Sequence, residues 1–296
     1  MRPLSVLASL FAILVLGSMS AQAGGFTVEE NVVYGKGGDV ELQLDIAKPE
    51  GDGPFPTIVY IHGGGWQGGS RKMYRDEIED AAARGYVAAT VTYRLVDTKK
   101  AEKDRVIFPA QIQDVKCAVR FLRANAAKFH IDPNRIGATG ASAGGHLVLM
   151  LGTTDTSQML EGDGGNPDVS SRVQAIVNYF GPTDFPHWFT TTEKIQPIAI
   201  AFLGGKPDEK ADAYKLVSPI THLSKDDPPI LSIQGTVDPL VPLDQATRFD
   251  EAARKAGVAH TLLVMEGQGH GFKGEPGKKA KNATFEFFDK HLKAAK

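Results

Sequence analysis

The chain has 296 residues, 42% of them hydrophobic and 23% charged, which is apolar material enough for a sizeable core and excludes a disordered chain. Its 33 Lys and Arg nearly balance its 35 Asp and Glu, a formal net of −2, so nothing favours nucleic acid or an anionic membrane as a partner. The single cysteine, Cys117, has no intramolecular disulfide partner and falls on the apolar face of a predicted helix with Val115, Val119 and Leu122, where it reads as a packing residue.

Arg2, the apolar run Leu4–Leu16 and then Gly17-Ser18-Met19-Ser20-Ala21-Gln22-Ala23 have the layout of a secretory signal peptide with an Ala-x-Ala site. The apolar core, about 13 residues, is short of the roughly 20 that span a bilayer, so cleavage after Ala23 is expected, with no membrane attachment afterwards. Phe26–Tyr34 and Val40–Ala47 alternate apolar and polar residues around Gly35-Lys36-Gly37-Gly38, which predicts an antiparallel hairpin. Thr57–Ile61, Val87–Val91, Ile136–Thr139, Val173–Tyr179, Ile230–Gln234 and Thr261–Val264 are short runs rich in Val and Ile. They predict interior strands of a mostly parallel sheet, eight strands in all with the hairpin. Helical stretches alternate with them at Tyr74–Ala83, Ala110–Lys128, Ser142–Leu151, Asp244–Ala256 and Lys279–Leu292, so crossover connections should place helices on both faces. No repeat and no Pro-, Ser- or Gly-rich linker divides residues 24–296, and a single α/β domain is expected. Arg94–Phe108 and Gly181–Leu223 break the alternation. Both should lie over the C-terminal edge of the sheet, where such folds bind ligands, as candidates for substrate specificity.

Gly140-Ala141-Ser142-Ala143-Gly144-Gly145 joins a predicted strand to a predicted helix. Alone, it is as readily a serine-capped helix start as the turn of a nucleophile. In the second reading the flanking glycines admit a sharp, strained turn that points Oγ outward and leaves the Ala143 amide at a helix N-terminus, where it favours an oxyanion. Upstream, Ile58–Ile61 leads into His62-Gly63-Gly64-Gly65-Trp66. The Gly64 and Gly65 amides can approach a reacting atom without side-chain obstruction and are candidate oxyanion donors with Ala143. His62 should brace this loop, and Trp66 is equally a wall of the substrate pocket or a core residue. A phosphate loop would need Gly-Lys-Ser/Thr, which is absent.

A serine nucleophile needs a general base, and the base needs a partner that fixes its tautomer. Of eight histidines, His270 stands in the glycine-rich Gly267-Gln268-Gly269-His270-Gly271-Phe272, directly after the last predicted strand. Asp238 ends the preceding strand in Gly235-Thr236-Val237-Asp238-Pro239, with Asp184 as its rival one strand earlier. The order serine, acid, histidine on successive strand ends favours Asp238. Asp163, Asn166 and Asp168 share a glycine-rich loop but match no EF-hand, and no Gly-x-Gly-x-x-Gly opens a first helix. Neither a metal nor another cofactor is expected.

Together these motifs resemble the α/β-hydrolase fold, and within it the secreted esterases related to acetylxylan esterases and bifunctional feruloyl/acetylxylan esterases, near the hormone-sensitive lipase-like carboxylesterases. The resemblance covers most of residues 24–296 and rests on His62–Trp66, Tyr93-Arg94-Leu95, Asp132-Pro133-Asn134-Arg135-Ile136, the serine turn, Ser218-Pro219-Ile220, Gly235–Asp238 and Gly269–Phe272. It implies an exported esterase, periplasmic or extracellular, acting on a small-molecule or polysaccharide ester through an acyl-enzyme. Ser142 would be the nucleophile, His270 the base and later the acid, Asp238 its partner, and Ala143, Gly64 and Gly65 the oxyanion donors. The chain departs from the lipase-like relatives in lacking a helical N-terminal cap, which implies a more open site and argues against long-chain lipids. A kynurenine formamidase-like amidase, which shares the His-Gly-Gly-x-Trp loop, a serine peptidase and a non-catalytic binding protein on the same scaffold are the alternative readings. No motif speaks to the oligomeric state.

Overall fold

The strands are β1 (Phe26–Gly37), β2 (Val40–Pro49), β3 (Phe55–Ile61), β4 (Val87–Val91), β5 (Ile131–Ala141), β6 (Ala175–Tyr179), β7 (Ile230–Gly235) and β8 (His260–Met265). In the computed structural model, which describes residues 25–154 and 158–293, they form one sheet in the order β1-β2-β4-β3-β5-β6-β7-β8. The segment read as a signal peptide lies outside the described residues. β2 runs antiparallel to β1 and β4, and every pairing from β4 to β8 is parallel, so the predicted hairpin leads into a parallel sheet.

The pleat sorts the side chains into two layers. Val59 and Ile61 of β3 join Ile112, Val115 and Leu147 from helices Ala110–Ala124 and Ala143–Thr153 on one face. Ile58 and Tyr60, one residue out of phase, join Ile78, Ala280, Phe285 and Phe288 from helices Arg75–Ala83 and Gly274–Leu292 on the other. Burial on both faces explains why the central strands read as apolar runs rather than as alternations. Cys117 is packed among these residues as a free thiol.

Several boundaries move for local reasons. The hairpin turn tightens to Gly38-Asp39, with Gly38 at φ 60°, a conformation glycine takes without strain. The long second helix breaks at Asn125, whose side-chain amide donates to the Phe121 carbonyl at 2.8 Å and caps the turn. The last helix starts at Gly274, not Lys279, because Pro276 falls in its first turn, where a missing N–H costs nothing. In register, Ile61 lies beside Gly140, Ala141 beside Tyr179 and Gly235 beside Met265. The C-terminal ends of β3, β5, β6, β7 and β8 therefore form one edge, and the loops leaving that edge carry the predicted site.

Candidate active site

Ser142 stands alone between β5 and helix Ala143–Thr153 at φ 57°, ψ −120°. A non-glycine residue held there carries strain of roughly 1–3 kcal/mol, sustained only by what surrounds it. Backbone packing does the holding. A Cβ at Gly140 would lie 2.6 Å from both the Gly144 carbonyl and the Ile61 oxygen, one at Gly144 would run into the Ile61 oxygen, and one at Gly145 would meet Asn178 Oδ1 at 2.5 Å. The glycines flanking the serine therefore let helix, strand and neighbouring strand approach backbone to backbone. The Ser142 amide closes the turn by donating to the Tyr179 carbonyl at 2.9 Å.

The structure brings the three predicted side chains together. His270 Nε2 is 2.9 Å from Ser142 Oγ, and His270 Nδ1 is 2.7 Å from Asp238 Oδ2. A carboxylate only accepts, so Nδ1 carries the proton and Nε2 is left to accept from the serine hydroxyl. Asp238 is buried, and its other oxygen accepts the amides of Leu240 at 2.9 Å and Val241 at 3.0 Å. A residue missed in the sequence completes this clamp. Gln234 Nε2 donates to the Val241 carbonyl at 2.7 Å and to Asp238 Oδ2 at 3.3 Å. Its signal was a long polar side chain at the buried end of a strand that is otherwise apolar but for Ser232. The His270 loop is held against β7 by Val237 N–H donating to the Gln268 carbonyl at 3.0 Å, over Gly235, where a Cβ would collide with that carbonyl. Asp184, the rival acid, instead caps helix Phe185–Thr191 and pairs with Arg248 at 2.6 Å.

The glycine loop after β3 lies across the serine turn. A Cβ at Gly63 would be 2.7 Å from the Ala141 carbonyl, and Gly64 and Gly65 take φ of 119° and 60°. Among the described residues the amides of Gly64, Gly65 and Ala143 have no protein acceptor. His62 braces the loop as expected, with Nδ1 2.8 Å from the Gly63 carbonyl and its ring stacked on Tyr93 at 4.3 Å. Burial pulls its pKa down, which keeps it neutral. Trp66 combines both roles weighed for it: it lines the cavity over Ser142 yet is only 1% exposed, stacked on Phe202 at 4.2 Å.

That cavity, about 340 Å³, is walled by Pro182, Trp188, Ile195 and Ile198 from the 181–223 segment, with Tyr74, Phe180, Leu240 and Val241. The other segment expected to set specificity, Arg94–Phe108, lines none of it. It acts from behind, through Val96 N–H to the Trp66 carbonyl at 2.8 Å and Phe108 N–H to the Phe202 carbonyl at 3.0 Å. The glycine-rich loop weighed as a cation site already faces a cation, since Arg120 donates to the Gly164 and Gly165 carbonyls at 2.9 and 3.2 Å.

A second Ser-His-Asp set shows which features matter. His260 Nδ1 is 2.8 Å from Asp250 Oδ1 and its Nε2 is 2.9 Å from Ser232 Oγ, nearly the distances at Ser142. Ser232, however, lies mid-strand in β7, 1% exposed, and accepts from Asn178 Nδ2 at 3.3 Å. It has no helix N-terminus after it and lines no described cavity, so this set ties β6, β7 and β8 to helix Leu243–Ala256.

Residues 44–253 match the BD-FAE family. The chain belongs to that family. The matched span contains Ser142 and Asp238 and ends before His270, whose place is given by the geometry above. The fold is that of the α/β-hydrolases, shared with its structural neighbours. Esterase LipC of Mycobacterium tuberculosis is 30% identical over 224 residues, 74% of this chain and 53% of LipC. The chain spans about half the length of LipC and of LipQ and LipM of the same organism. Among solved structures, a truncated carbohydrate esterase from gut microbiota is 32% identical with a TM-score of 0.74, over 88% of this chain and 96% of that one. Thermogutta terrifontis esterase 2, phosphonylated by sarin, is 30% identical with a TM-score of 0.77, over 93% of this chain and 98% of that one.

Proposed function

We propose that the protein is a serine carboxylesterase in which Ser142 attacks the ester carbonyl. The observation that carries this reading is a strained serine 2.9 Å from an imidazole whose other nitrogen is bound to a buried carboxylate, beside amides with no acceptor among the described residues. His270 Nε2 takes the Ser142 proton as Oγ bonds to the carbonyl carbon, and the resulting oxyanion is held by the amides of Ala143, Gly64 and Gly65. Collapse breaks the bond to the alcohol oxygen, which receives the proton from His270 and leaves an acyl-enzyme. A water, deprotonated by His270, then repeats the attack and releases the acid. Asp238 keeps the proton on Nδ1 throughout. Each oxyanion donor is worth about 2.7–4 kcal/mol of transition-state stabilisation.

The acyl group is short or aromatic, an acetyl or feruloyl ester on plant polysaccharide. The carbohydrate esterase among the structural neighbours supports this reading, as do the apolar walls of the cavity and the exported leader predicted for the first 23 residues. Among the described residues no helix is long and apolar enough to cross a membrane. The test is release of acetate from acetylated xylan and of p-nitrophenol from short acyl esters, with labelling of Ser142 by a fluorophosphonate. Folded protein that turns over none of these esters and takes up no label would refute it.

A further inference from the structure

The turn that leaves β6 holds Phe180 at φ 40°, an outlier for a bulky residue that persists only where its surroundings over-determine it. Three main-chain groups of that turn are tied down. The Tyr179 carbonyl accepts from the Ser142 amide at 2.9 Å, the Phe180 amide donates to the Ile233 carbonyl at 3.0 Å, and the Gly181 amide donates to Asn178 Oδ1 at 2.9 Å. Gly181 also packs on the helix that follows Ser142, where a Cβ would lie 2.3 Å from the His146 amide nitrogen. Held in this way, the Phe180 ring lines the cavity over Ser142 and lies 4.7 Å from the His270 ring, the two planes tilted by 55°.

The contact to Gly181 depends on which way the Asn178 amide points, and that is dictated from the far side of the sheet. Asp250, on helix Leu243–Ala256, only accepts, so His260 donates to it from Nδ1 at 2.8 Å. Burial lowers the pKa of His260 and keeps the ring neutral, so Nε2 accepts from the Ser232 hydroxyl at 2.9 Å. Ser232 Oγ is then left to accept from Asn178 Nδ2 at 3.3 Å, which turns Asn178 Oδ1 towards the Gly181 amide. Flipping the Asn178 amide would set its NH2 against the Gly181 N–H, donor against donor. All four side chains are buried, where an unmet donor or acceptor costs most. The second Ser-His-Asp set is therefore the start of a one-way chain of hydrogen bonds that ends at the turn carrying Phe180.

We propose that Asn178 and Phe180 are positioning residues for His270: the chain from Asp250 orients the Asn178 amide, the amide fixes the turn, and the turn holds the Phe180 ring beside the imidazole. His270 gains a positive charge when it takes the Ser142 proton, and again when it deprotonates the water. An aromatic ring within about 6 Å attracts a cation, so Phe180 acts on the charged ring and not on the neutral one. Its contribution therefore grows in the transition state, and its loss should fall on kcat rather than on KM. This rests on the esterase reading of Ser142 and adds the residues that support its base.

The test is a double-mutant cycle of Asn178→Ala, Phe180→Leu and the pair, with p-nitrophenyl acetate as substrate. Each single variant should lower kcat about 3- to 30-fold, the range for one cation–π contact, with KM within about threefold of wild type. The pair should lower kcat no further than the more damaging single variant, because Asn178 acts through the ring. Losses that multiply in the pair would mean that Asn178 acts elsewhere, on the serine turn beside Gly145, and overturn the proposal. An unchanged kcat in either folded single variant overturns it too, as does a loss carried by KM alone. Should Asn178→Ala fail to fold, Ser232→Ala replaces it in the cycle, since it removes the acceptor that orients the amide, and Phe180→Met likewise replaces Phe180→Leu, with the same outcomes. Wild-type protein that hydrolyses no ester and takes up no fluorophosphonate overturns the esterase reading itself, and the role of Phe180 with it.

Discussion

Asp238→Asn is the perturbation that most directly questions the site. The amide oxygen can still accept from Leu240 and Val241, at 2.9 and 3.0 Å, so the turn keeps its shape. The new NH2 group then replaces Oδ2 and faces two donors, His270 Nδ1–H at 2.7 Å and Gln234 Nε2 at 3.3 Å. Gln234 cannot relieve the clash by flipping, since its NH2 also serves the Val241 carbonyl at 2.7 Å. Only His270 can respond, by moving its proton to Nε2, which then no longer accepts from Ser142. A wrong tautomer in a triad lowers kcat about 10⁴-fold, or about 5 kcal/mol of barrier. The frustrated Gln234 contact should destabilise the fold by about 1–3 kcal/mol. Steady-state hydrolysis of p-nitrophenyl acetate reads the first effect and urea denaturation the second. A folded variant within tenfold of wild-type kcat would refute the triad as built here.

Ser142→Gly should abolish fluorophosphonate labelling while raising the thermal midpoint by about 2–4 °C, because glycine releases the backbone strain at φ 57°; calorimetry showing a lower midpoint would contradict the strain argument. Gly144→Ala drives a Cβ into the Ile61 carbonyl and should cost about 1–3 kcal/mol or more of stability together with most of the activity, measured by urea midpoint and turnover. Burial pushes the pKa of His146 down to about 3 from its ordinary 6.5, so the unfolded chain binds a proton that the folded one refuses. Stability is then fully present above pH 6.5 and falls as pH drops towards 3, by up to about 1.4 kcal/mol per unit. Urea midpoints at pH 7 and pH 5 should show this slope, and His146→Gln should flatten it.

The serine turn, the glycine loop beside it and the strand ends that bring Ser142, Asp238 and His270 together were legible because local chemistry dictates them. Only glycine fits at 140 and 144, and strand ends carry the loops that follow them. What stayed hidden depends on contacts between distant segments. Gln234 reads as one more strand residue until Asp238 folds back over it. The Arg94–Phe108 loop has the look of a pocket wall, yet it supports Trp66 and Phe202 from outside. His260 carries no glycine-rich loop and reads as a surface or packing residue; the structure buries its side chain in a hydrogen-bond chain as well formed as that of His270.

The backbone contacts beneath Ser142 also bear on how this protein can change. The proposed nucleophile is positioned by main chain against main chain at Gly140 and Gly144, with the Asn178 side chain the one near neighbour beside Gly145 for drift to vary. The walls at Pro182, Trp188, Ile195 and Ile198 come from a different stretch of chain that only borders the turn. Replacing those walls in a directed-evolution library should therefore redirect the choice of acyl group while the reacting oxygen stays where it is, so that new specificities arise from active enzymes rather than from repaired ones.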